Sequence, residues 1–315
     1  VLEYHNCIFS VPLFLYSTGS HDTMTYCLDK TSTVSGNESK LVKFLNKCMP
    51  CIVHPIIMKW STTQVLTVTE QLEAGVRYLD FRIAHKANDP SMTLYFVHMV
   101  YTTVTVQDIL WEVLRWLETH PQEVVILACR NFDGLTKRLH CHLIACIKEI
   151  FQCKLCPRNV SMSAFFPPFR TIYFSKFFDS KILDIFYFHS NLHPTVWRRE
   201  LNLSVMSVEL WDNSRDTTAS VLKGIFNASF SDLLFFFVSE KFFVAGINLT
   251  ENLRYILVHP FGSLKTMTLQ SLPCLKIWIK QQYPGPKKEC INIIAGDFIG
   301  NDDFVKDVIE LNTKI

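Results

Sequence analysis

The chain has 315 residues, enough for one large domain or two small ones; 49% are hydrophobic and 19% charged, so it can bury a sizeable core, and wholesale disorder is excluded. Its 31 lysines and arginines against 29 aspartates and glutamates leave a formal charge of +2, too balanced for a nucleic-acid partner, and no run of basic residues marks a polybasic membrane patch. Eleven cysteines, an odd number without the spacing of a small cross-linked scaffold, favour a reducing compartment; the separate pairs Cys48/Cys51 and Cys153/Cys156 read as loop or buried thiols rather than a zinc site.

Residues 14–18 can form a short first strand, leading into Gly19-Ser20-His21-Asp22. Residues 76–82, Val-Arg-Tyr-Leu-Asp-Phe-Arg, read as a strand with charges at its C-terminal end, and residues 94–98 as a second strand rich in aromatic and β-branched side chains. Thr105 and Asp108 have the spacing of a capping box, opening a helix that carries Ile109, Leu110, Val113, Leu114 and Leu117 on one face and ends at His120-Pro121. Residues 123–128 form a continuously apolar strand of the kind buried on both faces of a parallel sheet, and a helix is predicted over 135–151.

The end of the chain repeats the scheme: a strand at 243–247, a helix at 272–281, a strand at 291–295, and a last helix capped by Asn301 and running to Leu311. Strand and helix alternating at this spacing predict βα units, and without a linker or repeat the chain reads as a single domain, 1–315. Residues 157–241 yield no strand assignment: they hold one glycine of ten, Gly224, and the run Phe235-Phe236-Phe237. Residues 1–18 and 159–241 are therefore expected to be divergent, as if added to an ancestral coding sequence, and the architecture to be incomplete or distorted in the middle. Apolar windows at 165–188 and 233–249 are interrupted by charged residues, Lys176 and Asp179 in the first and Glu240 and Lys241 in the second, so no transmembrane segment is expected. The N-terminal residues lack the basic region of a signal peptide.

In α/β barrels the polar residues that act are those at the C-terminal ends of strands. Those ends supply His21 and Asp22, Asp80 and Arg82, His98, Arg130 and Asp297. Singly, each has an ordinary explanation. A His-Asp pair after Gly-Ser can be a turn, His98 a core histidine, Asp80 and Arg82 a salt bridge two residues apart on one strand face, and Asp297 a helix cap. Together, two imidazoles, two guanidiniums and three carboxylates suit acid–base chemistry at a phosphate.

The run Gly19-Ser20-His21-Asp22-Thr23-Met24-Thr25-Tyr26 resembles the first signature of the phosphatidylinositol-specific phospholipase C X domain. Leu79-Asp80-Phe81-Arg82 resembles the second and Phe96-Val97-His98-Met99-Val100-Tyr101 the third. Residues 124–132, Ala245-Gly246-Ile247-Asn248 and Ile293-Ile294-Ala295-Gly296-Asp297 are similar to the small eukaryotic X-domain-containing proteins, nearest their type 1 branch. The resemblance covers 19–158 and 242–315. In the middle only Trp211-Asp212-Asn213-Ser214 echoes a turn of that group.

The resemblance implies a TIM-type (β/α) barrel that cleaves phosphatidylinositol-type lipids to diacylglycerol and a cyclic inositol phosphate. His21 would be the general base and His98, with Asp22, the general acid. Asp297 would orient His21, Asp80 would hold Arg82 or His21 in place, and Arg130 would bind the phosphate or an inositol hydroxyl. Calcium-dependent relatives carry an acidic ligand where this chain has Arg82 and an asparagine where it has Asp22, so calcium independence and no other cofactor are expected. The resemblance further implies a monomer in the cytoplasm, in transient contact with a phosphoinositide-bearing membrane, with no nucleic-acid partner. Two alternatives stay open: a weak or inactive barrel that binds phosphoinositides, and a glycerophosphodiester phosphodiesterase, for which Asp80-Phe81-Arg82 supplies only one of the two carboxylates of a metal site.

Overall fold

A computed structural model describes residues 16–155, 171–174, 203–209, 242–250, 253–283 and 293–314. Its centre is a parallel sheet. Strand β1 (Ser17–Ser20) lies between β2 (Val76–Ala84) and β9 (Ile293–Gly296); β2 continues to β5 (Val124–Asp133) and then β6 (Thr171–Phe174), and β9 continues to β8 (Phe242–Thr250) and then β7 (Leu203–Glu209). Every one of these pairings is parallel, the arrangement of a (β/α) barrel. Among the described residues β6 and β7 do not pair with each other, so the barrel is not closed.

Period-two alternation along the strands separates two packing layers. On β2, Tyr78 points inward with Ile126, Ala128, Val244, Ile293 and Ala295, forming a small interior cluster. Leu79, Phe81 and Ile83 point outward, into the main core shared with the helices. Gly19 has no side chain for a spatial reason: a Cβ there would lie 2.9 Å from both Ala295 Cβ and Tyr78 Cδ1. The missing methyl lets the tyrosine ring fill the barrel floor.

The helices begin where the sequence supplies caps. Helix α4 (Val106–Thr119) opens on the capping box of Thr105 and Asp108, with Ile109, Leu110, Val113, Leu114 and Leu117 buried. Helix α5 (Lys137–Phe151) is capped by Thr136. Between β1 and β2 run α1 (Lys40–Cys48), α2 (Pro50–Ser61) and α3 (Val68–Glu73), which the sequence pattern did not reveal.

Several expectations are corrected. The strand at 94–98 is not a barrel strand. As β3 (Tyr95–His98) it pairs antiparallel with the end of β2, and with β4 (Val100–Thr105) it makes a hairpin outside the barrel. The turn is a single residue, Met99, in the left-handed region at φ 60°. A strand followed by a helix reads the same whether the strand is parallel or antiparallel, which is why the alternation misled.

After α6 (Leu253–Val258), helix α7 spans Leu264–Lys280 rather than 272–281, opening on Ser263, whose Oγ accepts from Thr266 N at 3.1 Å. Pro273 reads as a first-turn residue in sequence, yet the helix passes through it. The last helix, α8 (Phe304–Glu310), is not capped by Asn301, whose Nδ2 turns back to donate to Phe298 O at 2.9 Å; Asp303 stands at the cap. Strands β6 and β7 fall within 157–241, where no strand was assigned. The Trp211–Ser214 echo and most of residues 1–18 lie outside the described residues. Among the described residues no helix is long and apolar enough to cross a membrane.

Candidate active site

The strand ends collect the charges. His21 follows β1, Asp80 and Arg82 lie on β2, Arg130 on β5, and Asp297 follows β9. Each continues the inward-facing alternation of its strand, so the interior cluster of apolar residues is the floor and these polar groups form the next layer up. His98 reaches the same place from the β3–β4 hairpin.

His21 stands at the centre. Its Nδ1 lies 2.8 Å from Asp297 Oδ1, its Nε2 2.7 Å from Arg82 Nη2 and 3.3 Å from Asp22 Oδ2. Arginine can only donate, so Nε2 is the accepting nitrogen and Nδ1 carries the proton that Asp297 accepts. Burial alone would lower the histidine's pKa, but the adjacent charges of Asp22 and Asp297 outweigh it and raise the pKa above 6.5, with Arg82 opposing. Burial raises Asp297 above the usual aspartate value, although His21 pulls it down.

Asp22 is the shared partner. Its carboxylate meets Arg82 Nε through Oδ1, while Oδ2 lies 3.5 Å from His98 Nε2 in addition to its contact with His21. Asp22 adopts φ 44°, a left-handed conformation aspartate tolerates better than most residues, and its backbone N–H donates to Asp80 Oδ2 at 3.1 Å. His98 Nδ1 lies 2.6 Å from the carbonyl oxygen of Ser61 at the end of α2. A carbonyl only accepts, so Nδ1 carries hydrogen and Nε2 is the nitrogen turned towards Asp22.

Asp80 sits beneath. Arg130 grips it with two parallel hydrogen bonds, Nε to Oδ1 and Nη2 to Oδ2, and Arg82 Nε approaches Oδ2 to 3.7 Å. Burial penalises the carboxylate, but the two guanidiniums dominate and hold its pKa far below the ordinary value. Burial would loosen the proton of Arg130, but the Asp80 carboxylate outweighs it and holds Arg130 more firmly protonated than usual. Just beyond Arg130 the chain takes two consecutive left-handed residues, Asn131 at φ 69° and Phe132 at φ 55°, local strain of the kind found at functional sites.

One predicted position differs in emphasis: Arg130 is engaged by Asp80, so it braces the site's carboxylate from the side. Asp80 in turn is closer to Arg130 than to Arg82 or His21. A shallow cavity lined by Asp22, Asp80, Arg82, Phe96, Val97 and His98 adjoins this cluster.

Sequence reasoning overlooked the buried amides and hydroxyls that fix the His21 backbone. Gln64 Nε2 donates at 2.9 Å to the carbonyls of both His21 and Gly296, and its Oε1 accepts from Ile299 N at 3.1 Å. Thr63 Oγ1 reaches the His21 carbonyl at 3.2 Å, and Gln71 Nε2 donates to Thr23 O at 3.0 Å. Thr63, Gln64 and Gln71 stand in a stretch, 61–72, that is itself rich in polar residues, with no motif to single them out.

His21, Asp22 and Asp80 each offer a donor atom, all within 4.8 Å of one another, the geometry of a three-ligand metal site. The same carboxylates are already countered by Arg82 and Arg130. A divalent ion placed among them would face two fixed positive charges within an ion-pair distance of its ligands.

An α/β barrel with paired imidazoles, a shared aspartate and guanidiniums at its strand ends defines the class of phosphatidylinositol-specific phospholipase C-like folds. Solved structures agree on the fold: the phosphatidylinositol-specific phospholipase C from Listeria monocytogenes superimposes over 96% of this chain and 94% of its own with TM-score 0.56 and 14% identity. A double mutant of the Staphylococcus aureus enzyme does so over 96% and 93% with TM-score 0.60 and 14% identity. The family model of the PI-PLC X domain matches residues 57–145. The human PI-PLC X domain-containing protein 1 is 48% identical over 311 residues, covering 98% of this chain and 90% of that protein, and the mouse protein of the same name is 43% identical over 319 residues, covering 98% and 84%. Mouse PI-PLC X domain-containing protein 3 is 30% identical over 97% of this chain and 90% of its own. The chain belongs to the family of PI-PLC X domain-containing proteins. Alignments of that length run through residues 159–241.

Proposed function

We propose that the chain is a phosphoric diester hydrolase that cleaves phosphatidylinositol-type phospholipids without a metal ion, yielding diacylglycerol and a cyclic inositol phosphate. The observation that carries this reading is the meeting of His21 and His98 on the one carboxylate of Asp22, with the Arg82 guanidinium against His21. Two imidazoles with opposite tasks and a cation beside them are what in-line phosphodiester cleavage requires.

In the proposed reaction His21 Nε2 takes the proton of the inositol 2-hydroxyl. That oxygen forms a bond to phosphorus as the bond from phosphorus to the glycerol oxygen breaks. His98, protonated at Nε2 and paired with Asp22, gives its proton to the leaving oxygen, so diacylglycerol departs neutral. Asp297 keeps the His21 proton on Nδ1 before the step and steadies the imidazolium after it. Arg82 leaves His21 Nε2 for a non-bridging phosphoryl oxygen, whose charge grows in the transition state. Water then opens the cyclic ester with the two histidines exchanging roles.

The pairing of Asp22 and Asp80 with arginines supports a cation supplied by the protein in place of calcium. Asp80 and Arg130 act as the brace that fixes Arg82, and Arg130, a third exposed, retains an edge for an inositol hydroxyl. We place the activity in the cytoplasm, at a membrane surface, with the chain a monomer working in lipid degradation and signalling; the many free thiols support the compartment.

The test is to incubate the purified chain with phosphatidylinositol vesicles in excess chelator and follow cyclic inositol phosphate by phosphorus NMR. Product is expected, and His21→Ala is expected to abolish it. Binding without product would leave a phosphoinositide-binding barrel, and a magnesium requirement would favour a glycerophosphodiester phosphodiesterase.

A further inference from the structure

Helix α5 carries two metal-ligand side chains on one face. His142 and Cys146 stand four residues apart, one above the other, and neither belongs to the catalytic cluster. Cys146 Sγ lies 3.6 Å from His142 Nε2 and 3.8 Å from Nδ1. At those distances the thiol makes no strong hydrogen bond to the ring. A tetrahedral zinc ion, with its sulfur ligand at about 2.3 Å and its nitrogen ligand at about 2.0–2.1 Å, sets the two donors about 3.5–3.6 Å apart. The pair already has the spacing such an ion imposes.

There is room for the ion. A cavity of about 300 Å³ opens beside the pair, lined by His142 and Cys146 on α5, by Met92 ahead of β3 and by Gln107 in the first turn of α4. Water occupies about 30 Å³ a molecule, so the space holds an ion together with water ligands. Met92 and Gln107 bring a thioether and an amide to the same lining, further polarisable and polar groups in a wall that otherwise includes Leu94, Val106 and Leu143.

The character of the thiol separates this role from catalysis. Burial, and then the charge of Glu149 three residues on, push the Cys146 thiol up. A nucleophilic cysteine needs the opposite, a thiol made acidic by its surroundings. A cation fits both features, since it holds the sulfur as thiolate and is itself drawn to the glutamate.

The cavity lies at a junction. Val106 N donates to Leu94 O at 2.8 Å, which closes the base of the β3–β4 hairpin, and the same hairpin presents His98. An ion held on α5 would fill the gap between that helix and the hairpin base.

We propose that His142 and Cys146 hold a zinc-type divalent cation, its shell completed by water, in the cavity between α5 and the base of the β3–β4 hairpin. On binding, the thiol releases its proton to solvent and the sulfur bonds the ion. The cation braces the hairpin and takes no part in phosphodiester cleavage. This goes beyond the proposed function and does not rest on it.

The probe is cobalt(II), titrated into the full, reduced chain without oxygen and followed by absorption. A thiolate-to-cobalt charge-transfer band and the visible bands of a four-coordinate ion are expected. Added zinc is expected to bleach them, because it binds such donors more tightly than cobalt. Cys48 and Cys51 are exposed thiols that could compete, so variants are compared in a Cys48→Ser/Cys51→Ser background. There Cys146→Ser is expected to abolish the charge-transfer band. His142→Ala is expected to weaken cobalt binding about tenfold or more, at least the cost of losing an outer partner of a metal ligand. His21→Ala is expected to leave the band unchanged. Neither His142 nor Cys146 is fully buried, so circular dichroism verifies that the variants keep the fold. No band, a band that survives Cys146→Ser, unchanged affinity in His142→Ala, or a band lost in His21→Ala overturns the proposal.

Discussion

Arg82 Nη2 lies 2.7 Å from His21 Nε2, so in the proposed reaction the nitrogen assigned as base is occupied by the guanidinium assigned to the phosphate. One event frees both: a phosphate drawing Arg82 away exposes the His21 lone pair. Arg82→Ala is expected to lower kcat for phosphatidylinositol about 100- to 1000-fold, the usual cost of losing a donor to a developing oxyanion. Arg82→Lys is expected to recover only a minor part, because an ammonium lacks the planar fork that here spans Asp22 and His21. Steady-state kinetics on mixed micelles checks this; an Arg82→Ala enzyme within a few-fold of wild type would remove the guanidinium from the mechanism.

The pH dependence follows from the charges around His21. Asp22 and Asp297 raise its pKa above 6.5 against the effect of burial, so the acidic limb of the kcat/KM profile is expected above pH 6.5. Asp297→Asn removes one of the raising charges and is expected to move that limb to lower pH while reducing the rate. Arg82→Ala removes a lowering charge and is expected to move the His21 titration upward. Two substitutions shifting one pKa in opposite directions can be read by NMR of the histidine ring protons without turnover. A shift in the same direction for both would refute the assignment of His21 as their common neighbour.

What could be read from the sequence was what leaves a local trace. The Thr105–Asp108 capping box, the apolar β5 and the polar residues ending β1, β2, β5 and β9 each sit within a few residues of the signal that reveals them. What could not be read depends on distant partners. The β3–β4 hairpin differs from a barrel strand in pairing antiparallel with the end of β2, and neither the partner nor the direction is written in its own residues. Gln64 becomes a support for His21 because the fold brings residues 64, 21 and 296 together, which no spacing encodes. Arg130 pairs with Asp80 across neighbouring strands fifty positions apart, and the register that places Asp80 opposite Ala128 emerges only once the sheet forms.

Asp80 is a structural charge, whatever its part in the proposed reaction. Its pKa is depressed by Arg130 and Arg82, so the stability it contributes is fully present above its unfolded value near 3.8 and is lost as pH falls below that towards the depressed folded value. Asp80→Asn leaves two part-buried guanidiniums facing a neutral amide and is expected to cost about 3 kcal/mol, the scale of breaking one side of a buried pair. Urea denaturation at neutral pH checks the magnitude. The difference between wild type and variant should shrink as pH is lowered through the unfolded-state pKa; a difference constant down to pH 3 would mean that the loss is steric.

The barrel floor offers a test that involves no charge at all. A methyl group at Gly19 would sit 2.9 Å from Ala295 Cβ and from the ring of Tyr78, both held by strands paired directly to β1. Neither neighbour is the free end of a flexible chain, so Gly19→Ala is expected to destabilise by about 1–3 kcal/mol through overpacking. Because Gly19 precedes His21 by two residues, the strain is transmitted to the His21 imidazole, and the proposed activity is expected to fall even at temperatures where the variant stays folded. Gly36 supplies the control: a Cβ there meets nothing within 4 Å. Gly36→Ala is expected to be neutral or to stabilise by a few tenths of a kcal/mol, through reduced freedom of the unfolded chain. Equal melting points for the two variants would show that β1 can move away from β9 and β2, and the barrel floor would then not be the rigid element that positions His21.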